Sequence, residues 1–499
     1  MLDFLLAALP ITVILVGMAG FDLPSKILAP ICWIIAFATS LIFFAAPTFD
    51  VSKLFSTSIA GVLDGVRIVW LIFTAFVTLQ IMIRSGSMDQ IKRGLAGVTL
   101  DKRLVVVLLA LPFGTFIEGA SGAGTPAALA APFLVALGMN PVVAAGACLI
   151  GNSAPVSWGG AGVTTVMGAG QYVDFVEASI MTGRMACFEY VVLPFLMLVF
   201  VFGLKSLKGI WKELVVLGVL MGIVNFAISN LLLPVTELTS LLGGFVDTIL
   251  YCVYLKMRKE DLTSIPQEYR LSSDAGGSKQ SLKELCVALS PYVLLCTGLV
   301  VVRLSVPLPL LIGFGGGYTV WVGCVILVCA FIAAAYLRQL SSIVSAMWDS
   351  FLKVIPALLA MSFLLAMVNC MKMSGQISTL AKTLSAAAGV VYPIAAVLIG
   401  QVGGFITGTN LGSNLMFNPL HIEAAKNLGL NAMVLVAAQN TGGAIGNMIC
   451  PNNVIAVCAC VGILGREGEV LRKTLMPSVL LLFFLGALAM AYTYWVFPL

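Results

Sequence analysis

Apolar runs long enough to cross a membrane follow one another along the whole chain of 499 residues. About 20 helical residues, each rising 1.5 Å, cross the roughly 30 Å of hydrocarbon in a bilayer. Charged residues make up only 10% of the chain, against about a quarter in soluble globular proteins. The pattern therefore predicts an all-α polytopic membrane protein, and it excludes a soluble enzyme, a secreted domain and a disordered chain.

The longest runs with little charge are the predicted membrane spans. They are 3–20, 27–46, 58–83, 103–118, 140–170, 184–204, 213–233, 238–255, 286–304, 315–337, 350–371, 389–407, 431–460 and 474–497. Two further segments, 119–138 and 408–425, are too rich in Gly, Pro, Ser and Asn for ordinary lipid-facing helices, and whether they cross stays open. We predict about 12–14 transmembrane helices in two inverted repeats, with re-entrant hairpins and discontinuous helices.

The two halves of the chain resemble each other when one is shifted by 289 positions. The shift aligns Gly114, Phe116, Ile117 and Gly119 with Gly403, Phe405, Ile406 and Gly408. A hydrophilic stretch at 256–285, with 11 of the 49 charges, separates the halves. We predict a first repeat at 1–210, connecting helices and a cytoplasmic loop at 211–285, and a second repeat at 286–499. Such duplication is typical of secondary transporters, whose site lies where the repeats meet.

Charge, cysteine and histidine content narrow the possible partners. A net charge of +5 without a basic cluster excludes nucleic acid as a partner. The 12 cysteines are scattered through apolar runs without a C-x-x-C pair, so neither a metal site nor a disulfide framework is indicated. The single histidine, His421, excludes histidine-rich metal or haem chemistry, and we predict it to be solvated or interfacial. No cofactor is expected.

Two Gly-rich regions carry the polar residues of the predicted site. The first is Gly114–Pro126, followed by Gly151–Pro155, and the second is Phe405–Asn414, followed by Gln439–Gly443 and Cys450–Asn453. Broken helices inside a membrane occur only against protein or a water-filled cavity, and their N-termini suit a carboxylate. The alternative is that these small residues only let helices pack closely. The predicted substrate contacts are Gly119, Ser121, Gly122, Thr125, Asn152, Ser153, Thr407, Asn410, Ser413, Asn414, Asn440 and Thr441.

Glu118 is the candidate proton carrier, because it follows 14 residues without charge and precedes a Gly-rich break. A carboxyl group in a low dielectric favours its neutral form and can exchange a proton. The alternative is a hydrated Glu at the headgroup level. Asp64 and Arg67 have the i, i+3 spacing of an intrahelical ion pair. Arg184 and Glu189 flank the start of a span and are interpreted as interface anchors.

At these motifs the chain resembles the lactate permease family, bacterial symporters of L-lactate, D-lactate and glycolate with protons. The resemblance covers the chain from about residue 50 to its end. Its strongest segments are Phe116–Pro126, where the family has F-x-E-G-A-x-G-F-G-A-P, and Ala144–Pro155, where it has A-A-G-L-C-L-I-x-N-T-A-P. It continues through Gly408–Phe417 and Val457–Glu467. The resemblance implies 12 to 14 helices in the bacterial inner membrane and proton-coupled uptake of small 2-hydroxy monocarboxylates. It also implies an elevator mechanism, in which a mobile domain carries both motif regions.

Three positions depart from the family pattern. An acid of the family is Asn410 here, a lysine is Asn447, and the F-G-A-P step is Ala123–Pro126. Losing an acid and a base together leaves the net charge unchanged. The loss of the lysine removes a candidate partner for the carboxylate, so the preferred anion stays open.

The main functional hypothesis is a proton-coupled importer of a small organic anion of the lactate or glycolate type, multi-pass in the inner membrane. The alternative is a sodium-coupled carrier of another organic anion or small solute, because Asn410 and Asn447 offer neutral oxygen ligands. A channel is disfavoured because no repeated charged residues suggest a filter. A membrane enzyme is disfavoured because no convergent catalytic set is found. Assembly as a homodimer is left open.

Overall fold

The computed structural model describes residues 2–21, 23–44, 50–122, 124–258, 265–271, 282–306 and 318–499. The regular secondary structure within these ranges is helical, apart from an isolated bridge between Asp101 and Arg270. The helices of the first half are α1 (Leu2–Phe21), α2 (Ser25–Ile42), α3 (Val51–Arg84), α4 (Ser87–Ala96), α5 (Lys102–Ala110), α6 (Pro112–Ser121), α7 (Thr125–Ala136), α8 (Pro141–Gly151), α9 (Gly159–Gly168) and α10 (Phe175–Phe202).

The remaining helices follow in the same compact bundle. They are α11 (Trp211–Leu231), α12 (Thr239–Met257), α13 (Leu282–Ser305), α14 (Tyr318–Tyr336), α15 (Ile343–Met373), α16 (Gln376–Ala388), α17 (Tyr392–Thr407), α18 (Asn410–Leu428), α19 (Ala432–Asn447), α20 (Pro451–Cys460) and α21 (Glu467–Ala491).

The all-α polytopic membrane fold is confirmed. Among the described residues, 11 helical segments are long and apolar enough to cross a membrane, or 12 if one bent pair forms a single span. Three shorter apolar helices, Leu2–Ile14, Thr125–Ala136 and Val320–Tyr336, fall below that length. The count in the described residues reaches the lower end of the predicted 12–14 helices when the bent pair is taken as one span, and is otherwise one lower.

Two predicted spans are broken rather than continuous. The span predicted at 140–170 consists of α8, a 3₁₀ turn at Ala154–Trp158 and α9, with a bend of 43° at the break. The span predicted at 431–460 consists of α19 and α20, with a break before Pro451. Proline lacks a backbone N–H and fits the first turn of a helix. Pro155 and Pro451 therefore each lie at the start of a new helical segment and do not continue the preceding helix.

The two halves share local geometry at the predicted shift of 289 positions. Gly86, with φ of 73°, caps the start of α4 just after α3, and Gly375, with φ of 81°, caps the start of α16 just after α15. Both glycines adopt the left-handed conformation, which glycine reaches without steric cost. The repeat boundaries at 1–210, 211–285 and 286–499 stay a prediction.

Helices α3 and α15 pack closely because small residues face each other. A Cβ built on Gly65 would lie 2.4 Å from Cα of Ser362, and one built on Gly61 would lie 2.6 Å from the backbone N of Ala366. Small residues of this kind let membrane helices approach until their backbones touch. The pair forms one wall of the cavity described below.

A buried ion pair fixes the start of α5. Arg103 and Asp101 are each 2% exposed, and the guanidinium donates to both Asp101 oxygens at 2.6 and 3.0 Å. It also donates to the carbonyl oxygens of Ser206 and Lys208 and lies over the ring of Tyr269. Part of the predicted hydrophilic loop therefore packs on the bundle, whereas 259–264 and 272–281 lie outside the described residues.

Replacing Arg103 with leucine is expected to lower the free energy of unfolding by about 3–5 kcal/mol, because Asp101 would keep a buried charge without a partner. The control is the exposed pair of Arg67 and Asp64, which forms the predicted intrahelical ion pair with 2.8 Å between Nη1 and Oδ1. Arg67→Leu is expected to cost less than about 1 kcal/mol. Thermal unfolding of both variants in detergent measures the difference, and equal shifts would contradict the expectation.

Candidate functional site

A cavity of about 610 Å³ lies between the Gly-rich regions of the two halves. Its apolar wall includes Ile72, Phe76, Val163 and Met361, from α3, α9 and α15. Its polar wall includes Glu118, Ser121, Gly122, Thr164, Thr407, Thr409, Asn410, Asn447, Asn452 and Asn453. Pockets with apolar walls and a few convergent polar groups are the usual form of a small-molecule site.

The first break in the polar wall separates α6 from α7. Gly122 and Gly124 have φ of 66° and 72°, values that favour glycine. The Thr125 hydroxyl donates to the carbonyl oxygen of Gly122 at 2.7 Å and so closes the turn. Gly124 caps α7 and lines the cavity, which places the positive end of that helix at the cavity.

The second break separates α17 from α18 and has a similar form. Gly408 ends α17 with φ of 73°. Thr409 caps α18, and its side chain accepts a hydrogen bond from the backbone N–H of Gly412 at 3.0 Å. Thr409 and Asn410 both line the cavity, so a second helix N-terminus reaches it.

Glu118 is buried at the last turn of α6, with 1% of its surface exposed. The Asn152 side chain and the backbone N–H of Gly124 lie near its carboxylate and stabilise its charge electrostatically. The second oxygen, Oε2, has no partner among the described residues. A Cβ on Gly159 would lie 2.6 Å from Oε1, so a glycine at this position makes room for the carboxylate. No described lysine or arginine pairs with it.

Five of the thirteen predicted site residues line the cavity, namely Glu118, Ser121, Gly122, Thr407 and Asn410. The other eight lie behind this surface. They are Gly119, Thr125, Asn152, Ser153, Ser413, Asn414, Asn440 and Thr441. Gly119 packs on α12, where a Cβ would lie 2.2 Å from the backbone N of Leu241. Ser153 donates to the carbonyl oxygen of Ile150 at 2.9 Å.

A network of amides supports the second break from behind. The Asn440 side-chain oxygen accepts hydrogen bonds from Asn410 and Asn414, each at 2.8 Å. Its Nδ2 donates to the hydroxyl of Thr182 on α10 at 3.2 Å. Ser413 donates to the carbonyl oxygen of Gly400 at 2.9 Å, whereas Thr441 donates only within its own helix. The network ties Asn410, which faces the cavity, to a helix of the first half.

The interpretation of Glu189 as an interface anchor is wrong. Its side chain is fully buried on α10, where Ser153 donates to Oε1 at 3.4 Å. A second buried acid, Asp247 on α12, accepts a hydrogen bond from Asn225 at 2.9 Å. Sequence position alone did not separate a headgroup-level Glu from a buried one, because apolar residues surround both. Arg184 donates to Asn230 at 2.9 Å.

The prediction that His421 is solvated or interfacial is also wrong. The imidazole is fully buried on α18, with Nδ1 3.1 Å from the Tyr392 hydroxyl and Nε2 2.9 Å from Oε1 of Gln439. Helix α18 continues through Pro419 to Leu428, so the histidine lies within the helix and not at its end. His421 does not line the cavity.

His421→Phe is therefore expected to reduce stability by about 2–3 kcal/mol, since it leaves Tyr392 and Gln439 without their partner. The pH profile of transport is expected to stay that of the wild type, because the imidazole does not line the cavity. Thermal unfolding and initial uptake rates between pH 5.5 and about 8, the range in which a histidine ordinarily titrates, measure the two effects. A displaced pH profile would assign His421 a part in coupling.

Sequence analysis missed several groups at the cavity. Asn452 and Asn453 belong to the second motif region but were not among the predicted contacts, and the Asn453 amide donates to Oδ1 of Asn447 at 2.6 Å. Lys353 was also missed, although it is the only charge within the predicted span 350–371. Among the described residues, no group of side chains is arranged to hold a metal ion.

Comparison with known proteins identifies the family. The family model described as L-lactate permease matches residues 3–321 and 317–496. The chain belongs to the L-lactate permease family. It is 28% identical to the L-lactate permease of Escherichia coli K12, covering 100% of this chain and 97% of that protein. It is 28% identical to the glycolate permease of the same organism, covering 99% and 96%. The Bacillus subtilis L-lactate permease is 29% identical over 83% of this chain and 82% of its own length.

Solved structures show the same fold at lower identity. The YdaH transporter of Alcanivorax borkumensis has a TM-score of 0.52 and 14% identity, covering 94% of this chain and 98% of that one. MtrF of Neisseria gonorrhoeae has a TM-score of 0.53 and 16% identity, covering 96% and 97%. Family membership and the apolar helices make this chain a multi-pass transport protein of the bacterial inner membrane.

Proposed function

We propose that this permease imports small 2-hydroxy monocarboxylates of the lactate and glycolate type together with protons. The observation that carries the proposal is the cavity in which Glu118 meets the broken helices of both halves. The names of the relatives, L-lactate permease and glycolate permease, supply the substrate class. Asn410 and Asn447 depart from the family pattern, so the substrate class has to be tested directly on this chain.

The cavity matches the chemistry of a hydroxy acid. The helix N-termini at Gly124 and Thr409 favour a carboxylate. Amide and hydroxyl groups at Ser121, Asn410 and Asn447 can exchange hydrogen bonds with the substrate hydroxyl. The apolar wall leaves room for the methyl group of lactate or the hydrogen of glycolate. The eight predicted residues behind the cavity would hold these groups in position.

Proton coupling rests on Glu118. A buried carboxylate without a cation as partner is costly in its charged form, so closing the cavity favours binding of a proton. Oε2 has no partner among the described residues, so it can bind a proton without losing a hydrogen bond. Glu118 would bind a proton together with the anion and release it on the opposite side.

Alternating access would follow from movement of the motif helices against α3 and α15. Both motif regions contribute to the polar wall, whereas α3 and α15 contribute apolar residues, apart from Lys353 on α15, and pack tightly on each other. This division corresponds to an elevator mechanism, with the motif helices as the mobile part and the α3–α15 pair as the fixed part.

Uptake of labelled L-lactate into proteoliposomes tests the proposal. An inward proton gradient is expected to drive accumulation in the absence of sodium, with choline as the replacement cation. Accumulation that needs sodium and ignores the proton gradient would favour the sodium-coupled alternative. No uptake or counterflow of lactate or glycolate would contradict the substrate class.

A further inference from the structure

One lysine reaches the cavity from a helix that carries neither Gly-rich motif. Lys353 lies on α15 with Pro356, Ala357, Ala360 and Met361, and all five line the cavity. Their spacing of three and four residues is that of a single helix face. The lysine therefore belongs to the cavity wall rather than to the surface that packs on α3.

Lys353 has no neutralising partner in the described part of the chain. The acid one turn before it, Asp349, is engaged by Arg84, with 2.5 Å between Nη2 and Oδ2. The Lys353 ammonium makes neither a hydrogen bond nor an ion pair with any described residue. The nearby Cys460 contributes only an electrostatic interaction. Among the described residues that line the cavity, Lys353 is the only cation and Glu118 the only acid.

Lys353 lies within a membrane helix and is the fourth residue of the predicted span 350–371. It is the eleventh of 31 residues in α15, which places it roughly 15 Å from one end of the helix and 30 Å from the other. Ionisable groups within membrane helices face the protein interior or a water-filled cavity, and they usually mark the pathway of a substrate or an ion.

We propose that Lys353 binds the carboxylate of the transported anion and makes the site selective for monoanions. The inference rests on the proposed function and adds a recognition residue that the motif regions do not contain. The ammonium supplies charge-assisted hydrogen bonds to the carboxylate, while the amides of the broken helices bind the remaining polar atoms. A dicarboxylate would bring a second negative charge for which the described cavity wall offers no cation.

Charge balance links this lysine to coupling. With neither substrate nor proton bound, Lys353 and an ionised Glu118 sum to zero. With one monoanion and one proton bound, the ammonium, the neutral carboxyl group and the anion again sum to zero. Either ligand alone leaves a net charge of one unit in a cavity with low-dielectric walls, which is unfavourable. The two ionisable groups together therefore favour joint movement of one monoanion with one proton.

Counterflow in proteoliposomes tests the assignment, because exchange needs no proton gradient. Labelled L-lactate is the substrate, and lactamide, its uncharged analogue, is the competitor. Lys353→Gln is expected to raise the half-saturating lactate concentration about 10-fold or more, the usual effect of losing a charged hydrogen bond. Inhibition by lactamide is expected to change little. Lys353→Arg, which keeps the charge, is the control and is expected to stay close to the wild type.

The outcomes separate the two proposals. A wild-type protein without lactate counterflow contradicts the proposed function. The wild-type protein could instead exchange lactate while Lys353→Gln keeps the wild-type preference for lactate over lactamide. That result contradicts only the assignment of Lys353. An equal rise in the half-saturating lactate concentration and in the inhibitory lactamide concentration would indicate that Lys353 only shapes the cavity. That result would also overturn the assignment. Because the side chain is exposed to the cavity, both variants are expected to unfold at the wild-type temperature.

Discussion

Glu118→Gln is expected to abolish proton-driven accumulation of lactate while lactate exchange continues. Glutamine has nearly the shape of glutamate, and its side-chain oxygen can still act as a hydrogen-bond acceptor near Asn152 and Gly124. It cannot bind and release a proton. The variant would therefore equilibrate lactate across the membrane without concentrating it. Accumulation under an inward proton gradient and counterflow without a gradient, measured on the same proteoliposomes, separate the two activities.

Asp247→Asn is the matched control for Glu118→Gln. Asp247 is also a fully buried acid, but it is bonded to Asn225 and does not line the cavity. Its replacement is expected to leave accumulation close to that of the wild type. Unchanged accumulation in Glu118→Gln would remove this residue from the coupling mechanism. An equal loss of accumulation in both variants would show that transport is sensitive to the replacement of any buried acid.

The class of fold was predictable because a single physical constraint dominates it. Backbone groups in hydrocarbon must be bonded within the same segment, so apolar runs of this length become helices. Gly, Pro and Asn also marked where the helices break, as at Gly122 and Gly408. The number of crossings was less predictable. A run such as 140–170 looks continuous in hydropathy, although Asn152 and Pro155 divide it.

The site was predictable only in part, because sequence shows which residues are polar but not which side of a helix faces the cavity. Glu118 and Asn410 were found from their motifs, and both line the cavity. Asn440 belongs to the same kind of motif yet lies behind the wall, where it bonds to other amides. Lys353 was visible as a lone charge in an apolar run, but its relation to Glu118 depends on how α15 packs against α3.

Asn440→Leu is expected to show the largest loss of stability among the variants near the second break. Leucine has a similar volume but would leave Asn410, Asn414 and Thr182 without their hydrogen bonds to the Asn440 side chain. Each unmet buried group costs about 1–3 kcal/mol, so the free energy of unfolding should fall by roughly 3 kcal/mol or more. Transport should fall as well, because Asn410 would lose one of the contacts that hold it at the cavity.

Asn418→Leu provides the comparison, because it lies one turn beyond Asn414 on the same helix. Its amide donates a single bond, to the carbonyl oxygen of Gly168 at 2.7 Å, and it does not line the cavity. Losing that one bond should cost about a third as much as losing the three at Asn440 and should leave counterflow intact. Thermal unfolding and lactate counterflow of the two variants measure the two effects. Equal unfolding temperatures and equal counterflow would mean that the amide network does not position Asn410.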